Sequence, residues 1–192
     1  MASDYFKSLQ LRSLSDRQSL WSRLEEFTRM IHQSLDPRET AYMLANEARR
    51  LIECDRVTIS VRRGRRQVIE AISGQDVVNK RSNVVRLLGE VATVVAAARE
   101  NVWFCGDTSQ LAPQIEDAIQ QYVDESHSKT VIVIPLGRSA PPPVDEADVD
   151  RPVDPPPPVG TMIVEQIEDS RITPQLRQRV EVVAQHGAVD LA

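Results

Sequence analysis

The stretch Cys54 to Gly74, CDRVTISVRRGRRQVIEAISG, reads as two strands folded back on a tight turn. Val57, Ile59 and Val61 alternate with Thr58, Ser60 and Arg62, which predicts one apolar face and one polar face on the first strand. Gly64 stands between two arginine pairs and supplies the permissive backbone that a hairpin turn needs. A second apolar run, Val68 to Ile72, ends at Ser73-Gly74. The helical patterns on either side are then expected to cover this sheet.

Upstream, residues 1–15 read as an arm or weak helix. Ser15 and Gln18 form a capping box ahead of Leu20, Leu24, Phe27, Ile31 and Leu35, an amphipathic helical stripe. Asp36-Pro37-Arg38-Glu39 combines an N-cap, a proline at the first helical position and an acid in the first turn, so a new helix starts there. Its stripe is Ala41, Leu44, Ala45, Ala48 and Leu51, small enough to pack closely. Beyond the hairpin, Ser82 is placed to cap a helix carrying Val84, Leu87, Leu88, Val91, Val95 and Ala98. A short strand from Val102 to Cys105 precedes a helix with Pro113 near its start and Ile115, Ile119 and Tyr122 on one face. Thr130 to Leu136, TVIVIPL, reads as a central strand buried on both faces, with Pro135 near its end. Residues 138–158 are Pro-rich and acidic with almost nothing to bury, which predicts an extended loop. The last strand resumes at Val159-Gly160, and Thr173-Pro174 opens a last helix with Leu176, Val180, Val183, Ala184 and Leu191. Strands joined by hairpins and return excursions point to a mainly antiparallel sheet with helices on its faces, an α+β plan in one domain over residues 16–192.

Several function classes are disfavoured by composition. A net charge of −5 works against nucleic acid as a general partner. No apolar run approaches the roughly 20 residues that cross a bilayer, and the N-terminus lacks the pattern of a secretory signal. Cys54 and Cys105 are too few and too far apart for a disulfide scaffold, so reduced thiols in a cytoplasmic setting are expected. The final residues, VEVVAQHGAVDLA, stop inside a helical pattern without a cap, which predicts a piece of a longer protein.

The order of elements, with Leu51 to Ile59 (LIECDRVTI), Ser73-Gly74, Val133 to Leu136 and Val159-Gly160, resembles a GAF domain over Leu20 to Leu191. The resemblance implies a PAS-like central antiparallel sheet of five to six strands. The first, second and last helices would lie on one face, and the other face would enclose a small-molecule pocket. It also implies a homodimer through the outer helices, for which Leu20, Leu24 and Phe27 with Leu176, Val180 and Val183 are the candidates. The wording from SGQDVVNKRSN through YVDESHSKT is similar to GAF modules ahead of hemolysin-D-type membrane-fusion proteins, the adaptors of secretion and efflux systems. That implies a soluble part of a membrane-anchored protein, with an effector or membrane-associated partner beyond the C-terminus.

The candidate pocket residues on this plan are Asn79, Arg81, Arg86, Trp103, Cys105, Tyr122 and His127. Asn79-Lys80 and Asp124-Glu125 echo part of the cyclic-nucleotide motif of the family, but Gln120 stands where that motif has Phe and the Asn-Lys pair falls in the wrong segment. Cys105 is followed by Gly106 rather than the His common in bilin-binding members. His32, His127 and His186 have no metal-site spacing, and Asp107, Asp117 and Asp124 assemble with no nucleophile and oxyanion donor. Arg62, Arg63, Arg65 and Arg66 read as a solvated hairpin tip before they read as a contact for anionic lipid. These readings favour a non-catalytic sensory or regulatory module that binds an unidentified small molecule or relays a dimer rearrangement; no cofactor is named by the residues. A ligand-free docking and dimerisation module is the alternative. A thiol redox enzyme of the methionine sulfoxide reductase type, working through Cys105, is a third.

Overall fold

The computed structural model of the chain describes residues 36–137 and 156–187. The arm over residues 1–15, the helix carrying Leu20, Leu24 and Phe27, residues 138–155 of the Pro-rich loop, and Leu191 lie outside the described residues. The order of elements is α1 (Pro37–Ile52), β1 (Arg56–Arg63), β2 (Arg66–Ile72), α2 (Asn83–Ala98), β3 (Val102–Phe104), α3 (Pro113–Ser126), β4 (Thr130–Leu136), β5 (Gly160–Gln166) and α4 (Pro174–Gly187). The strands form one five-stranded sheet in the order β2-β1-β5-β4-β3. Every neighbouring pair is antiparallel.

Local chemistry sets the helix starts. Asp36 accepts a hydrogen bond from the Arg38 N–H at 2.9 Å, with Pro37 behind it where no amide hydrogen is needed. Thr173 does the same for the Leu176 N–H at 3.1 Å ahead of Pro174. The ends carry a weaker signal, because no glycine stops α1, α2 or α3. Glu53, Arg99 and His127 take the left-handed conformation instead, at φ of 60°, 58° and 59°. Each bonds its N–H to the carbonyl four residues back, on Arg49, Val95 and Val123.

Helices cover both faces of the sheet, giving two apolar layers. On one face α1 and α4 pack against Val57, Ile59, Ile132, Ile134, Met162 and Val164. On the other α2 and α3 pack against Ile69, Val102, Phe104, Val131, Val133 and Ile163. The polar face expected for β1 is therefore not solvated: Thr58 and Ser60 are fully buried under the second layer. Ser60 satisfies itself there by bonding Thr161 Oγ1 at 2.7 Å and Gln67 Oε1 at 3.0 Å. In α2 the buried stripe ends on Ala96, and Ala98 is exposed.

Two further expectations are corrected by this layering. Leu176, Val180 and Val183 point into the first layer rather than forming an outer stripe, because α4 needs them to cover the sheet beside α1. Trp103 also belongs to that layer, with the Arg177 guanidinium 4.4 Å from its ring centre, since side chains alternate along β3 and Val102 and Phe104 take the pocket side. The edge strand β2 is blunted in two ways. Glu70 is an extra residue between the pairs Ile59↔Ala71 and Ser60↔Ile69, and the outward Gln67 N–H donates to Thr93 of α2 at 2.9 Å.

Close approach of α1 and α4 depends on small side chains: a Cβ on Gly187 would sit 2.9 Å from Leu44 Cδ1. Ala41, Ala45 and Ala48 are fully buried in the same layer. Ala48→Leu is expected to lower unfolding stability by about 1–3 kcal/mol through overpacking, read by urea denaturation. An unchanged midpoint would show that the layer has slack.

Candidate functional site

Arg56 opens β1 directly after Asp55, and the register places Arg56 directly opposite Glu165 of β5. Asp55 anchors the junction by accepting from the Ile167 N–H at 2.8 Å. Glu165 is fully buried on the α3 side of the sheet. Its carboxylate accepts from Arg56 Nε at 2.7 Å and Arg56 Nη2 at 2.8 Å, a two-point pairing. Tyr122 of α3 donates to it at 2.6 Å, and Ser128, just beyond α3, donates at 2.7 Å. Arg56 Nη2 also donates to the Tyr122 hydroxyl at 3.3 Å.

Four donors thus surround one buried carboxylate, which compensates for removing its charge from water. Hydrogen bonding to Glu165 holds Arg56 even more firmly protonated than usual, in spite of burial. Burial, reinforced by the neighbouring carboxylate, pushes the Tyr122 hydroxyl well above the ordinary phenol range. Both groups are therefore fixed as donors near neutral pH.

Arg56 is 26 % exposed along its side chain, and that exposure opens on a cavity of about 200 Å³ between the sheet, α2 and α3. Its polar lining is Arg56, Tyr122, Gln75, Asn79 and Ser82. The apolar wall is Ile72, Val84, Val85 and Leu88. The connector between β2 and α2 supplies the rim, and the start of α2 supplies one side.

The seven candidate pocket residues do not converge on one place. Asn79 and Tyr122 share this cavity. Cys105 and His127 line a separate, open depression with Asp124 and Lys129. Arg86 faces a groove between α2 and β2, paired with Glu90 at 2.6 Å. Arg81 is exposed on the connector, its backbone N–H donating to Asn79 Oδ1 at 3.1 Å. Trp103, as described, faces the opposite layer.

Sequence reasoning, which looked for the pocket along the connector Asn79 to Arg86 and so covered Ser82, missed Arg56, Ser128 and Glu165 as site residues. Glu165 carried a usable signal, the lone charge of a strand, directly after the apolar run Met162-Ile163-Val164. Lys80 lies 3.7 Å from Glu70, while Asp124 accepts from Gln120 at 2.8 Å, so the partial cyclic-nucleotide pattern has its polar groups engaged elsewhere. Cys54 shares a cleft with Met43, Asn46 and Arg50 of α1 and does not share the depression of Cys105. Among the described residues no group of three or more His, Cys, Asp or Glu is placed to hold a metal ion. Nor is any described helix long and apolar enough to cross a membrane.

Comparison with known proteins bears on the fold. No family model matches the sequence, and no curated protein matches it significantly. Solved structures do match. The GAF domain of a phosphoenolpyruvate-protein phosphotransferase from Acinetobacter superposes with a TM-score of 0.57 at 10% identity, over 88% of this chain and 89% of that one. Residues 122 to 287 of a methyl-accepting chemotaxis protein give a TM-score of 0.55 at 16% identity, covering 84% and 92%. The free methionine-R-sulfoxide reductase of Neisseria meningitidis, solved with its substrate, gives 0.54 at 12% identity over 88% and 86%. The chain therefore has a GAF-like fold, with four described helices and a five-stranded antiparallel sheet.

Removing the central carboxylate strands its donors. Glu165→Ala is expected to cost about 3 kcal/mol, the lower part of the range for breaking a buried pair, because Arg56 can regain some water. Glu165→Gln should cost less; equal stability of both variants and the parent in urea would mean that the cluster does not hold β1 to β5. Alkaline pH provides a second check. Burial, then the charge of Asp55, pushes the half-buried Cys54 thiol from its ordinary 9.0 up to about 12. The unfolded chain therefore loses this proton first, so stability is full below about pH 9 and falls as pH rises toward 12. Tyr122 acts in the same direction. The urea midpoint should drop above pH 9, less steeply in Cys54→Ser; an identical slope in that variant would refute the assignment.

Proposed function

We propose that the chain is a non-catalytic sensory or regulatory module that holds a small molecule in the cavity floored by Arg56 and Tyr122. The observation that carries this reading is the cavity itself: about 200 Å³ left open beside the buried charged cluster, on the α2 and α3 side of the sheet. Its rim is the connector from Ser73 to Ser82, and its floor joins β1, β5 and α3 through hydrogen bonds, so occupancy and sheet geometry are mechanically linked. Solved structures of similar fold include part of a chemotaxis protein and the GAF domain of a phosphotransferase, which supports a regulatory role.

The context we propose is a larger protein in which the module passes its state to a partner, with the secretion-adaptor setting carried by the sequence resemblance. Self-association through the helix bearing Leu20, Leu24 and Phe27 belongs to the same proposal. A thiol redox activity is disfavoured by the placement of Cys105 and Cys54 on separate surfaces.

Thermal unfolding against a panel of small metabolites tests the reading. A ligand confined to the folded state should raise the melting temperature, by the equivalent of about 2.7 kcal/mol at a hundredfold excess over Kd. The shift should vanish in Val85→Phe, which fills the cavity. A panel without effect would favour a ligand-free docking module.

A further inference from the structure

We propose that the cavity takes the carboxylate of a compact aliphatic acid, held by Arg56 Nη1, the Asn79 side-chain amide and the Ser82 hydroxyl. This rests on the small-molecule reading above and adds the class of ligand. A guanidinium has five N–H donors in a fixed plane. In Arg56 the Nε donor goes to Glu165, and Nη2 goes to Glu165 and Tyr122. The two Nη1 donors have no protein partner among the described residues, and Arg56 lines the cavity.

Asn79 is exposed at the rim of the cavity. Its Oδ1 accepts from the Arg81 N–H, which leaves the amide NH₂ as its remaining polar group. Ser82 stands at the N-cap of α2, yet its side chain makes no capping bond, and the first turn of α2 carries no acidic residue. The cavity is thus rich in donors and bordered by the positive end of a sixteen-residue helix. Among the described residues no Asp or Glu lines the cavity, and Glu165 behind Arg56 is saturated by four donors. An acceptor with charge fits this arrangement, because a carboxylate can accept from Arg56 Nη1 with one oxygen and from Asn79 or Ser82 with the other.

Size and wall chemistry narrow the remainder of the ligand. The cavity, at about 200 Å³, lies below the roughly 300–1,000 Å³ of pockets for drug-sized ligands, which favours a compact guest. Ile72, Val84, Val85 and Leu88 offer aliphatic surface, which a bare inorganic oxyanion would leave uncovered. A short, branched acid satisfies both halves.

The test is titration of the full chain, with labelled Ile, Leu and Val methyl groups, by sodium isobutyrate, isobutyramide and isobutanol, with sodium chloride as the salt control. Isobutyrate should move the Ile72, Val84, Val85 and Leu88 methyl signals saturably, isobutyramide should bind at least tenfold more weakly, and isobutanol should have no effect at equal concentration. Asn79→Leu and Ser82→Ala, which leave the Glu165 cluster intact, should each weaken isobutyrate about tenfold. The methyl spectrum reports in each case that the variant is folded. Equal responses to all three compounds, or unchanged affinity in both variants, overturn the carboxylate assignment and leave the small-molecule reading standing. Silence toward all three, while the metabolite panel yields a different ligand, overturns the assignment alone. Silence in both experiments overturns the assignment and the reading beneath it.

Discussion

The pairing of Arg56 with Glu165 joins neighbouring strands that are 109 residues apart in the chain. It does so beneath a helix, where the two charges repay their desolvation only through near-complete hydrogen bonding. Tyr122 and Ser128 supply the missing donors, and in doing so they tie the end of α3 to the sheet. The second apolar layer is organised around this point. Moving α3 by a fraction of a turn would strand a buried carboxylate, so its position is specified more tightly than contact among Ile115, Ile119 and Val131 alone would require.

The two faces of the sheet solve different problems. Between α1 and α4, alanines, Gly187 and branched side chains fill the space closely. Between the sheet and α2 and α3, the layer combines aliphatic contacts with Ser60, Thr161, Gln67 and the Glu165 cluster. Polar groups need directional partners and do not pack to uniform density, so this is the layer in which a cavity persists. The same face carries the start of α2 and the connector, a segment with few buried side chains that is suited to ordering around a guest.

The separation of the thiols follows from the same architecture. Cys54 lies in the junction between α1 and β1 and is held protonated by burial, whereas Cys105 is exposed beyond β3. A thiol deprived of its thiolate form is a poor nucleophile, and a solitary exposed thiol has no neighbouring partner for disulfide exchange.

Much of the architecture was written locally. The alternation of Val57, Ile59 and Val61, the glycine at the hairpin tip, the Asp36-Pro37 and Thr173-Pro174 starts and the continuous run from Thr130 to Leu136 each act over a few residues, so order, type and approximate bounds of the elements could be read from them. Helix ends were less legible because Glu53, Arg99 and His127 adopt a conformation that their side chains do not advertise. The site was barely legible. Of the residues lining the cavity, Asn79 and Tyr122 stood out in the sequence and Arg56 entered only through the Asp-Arg pattern; Glu165, which lies behind the lining, did not stand out at all. Their meeting depends on the register between β1 and β5 and on which face of the sheet α3 covers. Those are long-range choices made by burial and hydrogen-bond satisfaction across the whole layer, and the same rule sends Trp103 to one side and Phe104 to the other.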